Sequence, residues 1–104
     1  MAIPMYGQNK EGGNLNGFAT ALSGSKTWDA GSIADGNEEA LEITVTGAAL
    51  GDFVMSSLGV DVTDLILRGA VTATDTVTLI LANNTGGALD LASTTANCLV
   101  IPKQ

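Results

Sequence analysis

The sequence predicts an all-β protein, a small antiparallel β-sandwich or barrel preceded by an extended N-terminal arm. Three observations carry that expectation. Apolar and polar residues alternate strictly in Leu41-Glu42-Ile43-Thr44-Val45-Thr46, and Val77, Leu79 and Leu81 again occupy alternate positions, the period of two that a half-exposed strand requires. Runs of about five to seven strand-forming residues recur at intervals near a dozen, with Gly, Asn and Asp between them. No stretch shows the 3.6-residue period of an amphipathic helix, which excludes a parallel α/β fold, whose crossovers need helices.

Residues 1–24 read as the arm. Gly7-Gln8-Asn9-Lys10-Glu11-Gly12-Gly13-Asn14-Leu15-Asn16-Gly17 is dense in Gly and Asn and has no period. The apolar residues Ile3, Met5, Tyr6, Leu15 and Phe18 are spaced too irregularly to join a helix or strand face. They are therefore expected to order on a neighbouring subunit or a larger protein surface.

Residues 25–104 read as the sandwich, with strands from Lys26 onward. Asp35-Gly36 predicts a turn with Gly36 at positive φ. Leu41–Thr46 is a strand with Leu41, Ile43 and Val45 inside. Gly47-Ala48-Ala49-Leu50-Gly51-Asp52 connects it to a strand over Phe53–Leu58, and another covers Leu65–Val71. Thr72-Ala73-Thr74-Asp75 reads as a hairpin connection into Thr76–Leu81, with Val77, Leu79 and Leu81 inside. Asn83-Asn84-Thr85-Gly86-Gly87 is a turn because Asn and Gly tolerate positive φ. Ala88–Ser93 reads as a loop or short edge strand in preference to a helical turn. The last strand lies within Thr95–Ile101 and stops at Pro102.

At 104 residues the chain is one domain, with little stability to spare. Four basic against eleven acidic residues argue against nucleic acid or an anionic membrane as partner, since both demand clustered Lys and Arg. With 45% hydrophobic and 14% charged residues the chain is too apolar for disorder. The N-terminus lacks the basic and apolar regions of a secretory signal, and no window approaches a membrane helix, so synthesis in a cytoplasm is expected.

The chemistry available is sparse, and neither catalytic residues nor a cofactor is expected. Histidine is absent, which removes the commonest general base and metal ligand. The single cysteine, Cys98, sits in an apolar run and reads as a buried, inert thiol. Carboxylate pairs such as Asp61 and Asp64 read as solvated loop acids. Asp35-Gly36-Asn37-Glu38-Glu39 offers oxygen ligands to a hard cation but lacks the spacing of a complete calcium loop. Asn83-Asn84-Thr85 matches a glycosylation sequon by coincidence with a turn. Gly12-Gly13 and Gly86-Gly87 lack the Lys-Ser/Thr and helix of a phosphate loop. Trp28 reads as the largest packing element of the core or of a subunit contact. The protein is thus expected to act by contact rather than by catalysis, either as a structural assembly protein or as a module recognising a carbohydrate or receptor.

Four segments carry a resemblance: Trp28–Gly36, Ile43–Asp52, Thr76–Leu79 and Asn83–Ala92. The Gly-Ala-x-Leu-Gly-Asp loop after a Thr/Val strand, and the Asn-x-Thr-Gly-x-x-x-Asp-Leu-Ala stretch near the C-terminus, resemble small virion structural proteins of tailed bacteriophages, including head decoration and head-fibre components. The likeness covers roughly residues 28 to 100 and supplies no catalytic residues. It implies a capsid decoration, or cement, protein on the outside of the shell. Its partners would be the major capsid protein and further copies of itself, as a trimer. A tail or head-fibre component is the alternative. On this expectation Ile3, Met5, Tyr6, Leu15, Phe18 and Trp28 would form interfaces.

Overall fold

A computed structural model describes residues 21–103, and these fold into eight strands with no helix among them. The strands are β1 (Leu22–Trp28), β2 (Gly31–Ile33), β3 (Glu38–Thr44), β4 (Phe53–Leu58), β5 (Ile66–Ala73), β6 (Thr76–Ala82), β7 (Leu89–Leu91) and β8 (Thr94–Ile101). Every pairing is antiparallel. One sheet has the order β1-β8-β4, the second β3-β6-β5, and β2 with β7 makes a two-stranded ribbon.

The expected alternation sets the core. On β6, Val77, Leu79 and Leu81 are at most 1% exposed, and on β8, the other central strand, Ala96, Cys98 and Val100 are buried. Ile43 and Val45 are buried beside them, while Leu41 is half-buried because β3 is an edge strand. Each fully buried Leu or Val of this set contributes about 1.5–3 kcal/mol. The two sheets meet at both flanks, β1 against β3 and β4 against β5.

Each flank closes on a glycine. A Cβ at Gly69 of β5 would stand 2.6 Å from Leu79 Cδ2 and 3.1 Å from Val54 Cγ1. At Gly24 of β1 it would stand 2.8 Å from Val45 Cγ2 and 3.0 Å from Ile43 Cγ2. Lys26, further along β1, sends its ammonium to the Glu42 carbonyl at 3.1 Å, so an inward-pointing charge blunts this edge.

Two expected boundaries shift. β1 begins at Leu22, so Leu22, Ser23 and Gly24 belong to the sandwich and not to an arm ending at residue 24. Ser23-Gly24-Ser25 has no strand preference of its own and is recruited by pairing with Cys98, Leu99 and Asn97 of β8. Ile3, Met5, Tyr6, Leu15 and Phe18 lie outside the described residues. The β5–β6 connection is also tighter than Thr72–Asp75, because β5 runs to Ala73 through a bulge and Asp75 takes φ 62° at the turn. Ala88–Ser93 contains the short strand β7.

Candidate functional site

The two loops that carry the resemblance are built as rigid turns. In Gly47–Asp52, both glycines sit at φ 96°, a conformation other residues rarely adopt. The Asp52 carboxylate accepts from Ala49 N at 3.0 Å and from Lys103 N at 3.1 Å, pinning the loop to the end of β8. Gly47 N donates to Asp75 Oδ1 at 2.8 Å, while the Asp75 backbone pairs with Val45 and Ala48. The β5–β6 turn is thereby locked onto this loop.

The second loop is organised by Asn83, whose side chain is fully buried. Asn83 Nδ2 donates to the carbonyls of Ile33 at 2.7 Å and Gly87 at 2.8 Å. Its Oδ1 accepts from Thr85 N at 2.9 Å and lies 2.7 Å from the Thr85 hydroxyl. Its backbone N–H and carbonyl bond Asn37 and Gly36. Asp35 Oδ1 accepts from Gly86 N at 3.0 Å, so the Asp35–Gly36 turn, with Gly36 at φ 84°, is strapped to the same loop. Every polar group of Asn83 has a partner, and no acceptor for a glycan is exposed there.

The other candidate groups are engaged or scattered. Asp61 Oδ1 accepts from Thr63 N at 2.9 Å and serves a local turn. Glu38 reaches Arg68 at 3.6 Å across β6, both side chains more than half exposed. Among the described residues no group of three or more His, Cys, Asp or Glu converges as a metal site would require. Cys98 is buried, and burial pushes its thiol pKa up against a weaker opposing hydrogen bond from the Gly24 backbone. Trp28 is 6% exposed and packs in the core, so the structure corrects its place among the interface residues. Phe53 is the exposed aromatic among the described residues, at 64%. One ring makes a poor platform for a sugar.

What the sheets do present is an asymmetry of charge. The outer face of the β1-β8-β4 sheet comprises Ser23, Ser25 and Thr27 of β1, Thr95, Asn97, Leu99 and Ile101 of β8, and Phe53, Met55 and Ser57 of β4. None is charged. The register aligns Ser23, Leu99 and Met55 in one row and Ile101 with Phe53 in the next, giving a contiguous apolar patch around a shallow depression of about 350 Å³. Met55 is 59% exposed. By contrast, the outer face of the β3-β6-β5 sheet carries Glu38, Glu42 and Arg68 beside the exposed Ile66 and half-buried Ile80, so its apolar residues are interrupted by charge. Sequence reasoning named none of the patch residues as site residues. Their apolar character was visible, but their alignment depends on the β4–β8 register.

Compared with protein-family models and with curated proteins, the chain matches none of them.

Proposed function

We propose that the chain is a capsid decoration protein of a tailed bacteriophage, attached to the outer face of the assembled shell and stabilising it by contact with the major capsid protein and with its own copies. One observation carries this reading: an acidic domain leaves one whole sheet face free of charge and apolar at one end. Such a face suits burial against protein, because apolar area is gained without desolvating charge. The resemblance agrees with it in kind, and two of its segments contain the loops tied down by Asp52, Asp75 and Asn83. Any partner that binds the intact shell and not its dissociated subunits raises the shell's stability by mass action, which is all the chemistry a cement protein needs.

The test is the number of copies per particle, read by quantitative mass spectrometry of purified virions. Decoration predicts hundreds, following the symmetry of the shell. A few to tens would reassign the protein to the tail or a head fibre. Shells lacking the protein should also lose their contents at a lower temperature and regain resistance when it is added back.

A further inference from the structure

We infer that the uncharged outer face of the β1-β8-β4 sheet is where copies of this chain associate, face against face, with Leu15 and Phe18 of one copy extending the contact on the other. The inference deepens the self-association part of the reading above and stands without the shell.

Charge distribution selects the occupant. Residues 1–20 hold one basic and one acidic side chain, Lys10 and Glu11, and are neutral. Of the four basic and eleven acidic residues in the chain, three and ten therefore fall in residues 21–104, which carry the whole net charge of −7. Two such domains repel wherever their acids face each other. The charge-free sheet face is where they approach at least cost. Its apolar row, Phe53 and Met55 on β4 with Leu99 and Ile101 on β8, supplies the attraction.

Area then requires the N-terminal segment. Three strands spaced ~4.8 Å apart and about seven residues long make a face of roughly 350 Å², against ~800 Å² per partner in a stable interface. The missing area has an adjacent source. Leu22 pairs with Val100, so the chain enters β1 level with the Ile101–Phe53 pair, at the apolar corner of this face. Phe18 and Leu15 precede Ala21 by three and six residues, a reach of about 10 and 20 Å in extended chain. Packed sheets stand ~10 Å apart, so both residues can cross to the facing copy.

Sedimentation velocity of the full chain across a concentration series, at low and high sodium chloride, tests this. Association should appear and should tighten as salt rises, because screening removes the repulsion and leaves the apolar contact. Met55→Glu should weaken it at least about tenfold, since a carboxylate would be buried without a partner. Thr44→Glu adds the same charge to the outer face of the other sheet and should match the wild type. The double variant Leu15→Ser with Phe18→Ser should weaken association as well. Unchanged Trp28 fluorescence certifies that each variant is folded. A full chain that stays monomeric throughout, a Met55→Glu variant that associates like wild type, or association that salt weakens would each overturn the inference. Copies that associate through this face yet fail to occupy capsids would sustain it while ending the decoration reading, and monomers that occupy capsids would do the reverse.

Discussion

Replacing Asn83 with Asp changes one NH₂ group to oxygen at constant shape, and it strikes the point where three loop segments are tied together. Asn83 Nδ2 lies 2.7 Å from the Ile33 carbonyl and 2.8 Å from that of Gly87, and the site is closed to water. In the variant an acceptor faces two acceptors. Two hydrogen bonds are lost at about 0.5–1.5 kcal/mol each, and the burial of an unpaired acceptor adds about 1–3 kcal/mol. The expected loss is about 2–6 kcal/mol at neutral pH, a large part of the ~5–15 kcal/mol available to a domain of this size. The Oδ1 that accepts from both Thr85 N and the Thr85 hydroxyl remains in place, so the effect isolates the donor side of the amide.

The pH dependence gives the experiment its sign. The new carboxyl is held above the ~3.9 of an unfolded Asp, because its charged form is desolvated and repelled while its protonated form can donate to one of the two carbonyls. The folded variant therefore binds its proton more tightly than the unfolded chain does. Its deficit against wild type is smallest below about pH 4 and widens as pH rises through the raised folded-state value. Urea unfolding followed by the fluorescence of the single, buried Trp28 measures both quantities. A variant within about half a kcal/mol of wild type at pH 7, or a deficit that does not change with pH, would show that the Asn83 amide is not the tie described above.

Four further outcomes follow from the packing. Deleting residues 1–20 should leave a cooperatively folding domain, whereas deleting residues 1–24 should lower its midpoint markedly by removing the pairs Leu22–Val100, Ser23–Leu99 and Gly24–Cys98, a difference thermal denaturation resolves. Gly69→Ala should cost about 1–3 kcal/mol in the same urea assay, because its Cβ meets Leu79 at 2.6 Å in a packed interior. Thr63 is a β-branched residue at φ 58°, and Thr63→Asn should raise stability by about 0.5–1 kcal/mol as that strain is relieved. Cys98 should resist thiol reagents until the domain unfolds. Since burial raises its folded-state pKa, wild-type stability should fall as pH climbs past about 9 with a slope that Cys98→Ala lacks.

The elements that were legible in the sequence are those whose two faces differ. β3 alternates apolar with polar residues from Leu41 and β6 sets Val77, Leu79 and Leu81 at alternate positions, and the structure buries Ile43, Val77, Leu79 and Leu81 as that period requires. β1 was half hidden, because Ser23, Gly24 and Ser25 gain strand conformation only by pairing with β8. β2 and β7 have three residues each and define one another by pairing. The turn chemistry was readable at Gly36 and in Asn83–Gly87. The hub role of Asn83 was not, because Ile33 and Asn37 come to it from distant parts of the chain. Trp28 was read correctly as a large packing element, and its burial assigns it to the core instead of an interface.

The candidate face was written in the sequence in a form that periodicity alone does not decode. Cys98-Leu99-Val100-Ile101 is apolar without interruption, and Phe53-Val54-Met55 repeats the pattern on β4. A strand that is apolar on both sides belongs in a sheet covered on both sides. Cys98, Val100 and Val54 account for the inner side by packing in or against the sandwich core. Leu99, Ile101, Phe53 and Met55 are left facing outward without a charge among them, where the other sheet sets Glu38, Glu42 and Arg68 beside Ile66 and Ile80. The same domain therefore holds one sheet whose outer face mixes charged with apolar residues and a second whose outer face carries no charge. The second is half-satisfied by its own core, and its outer half is what a neighbouring protein surface would complete.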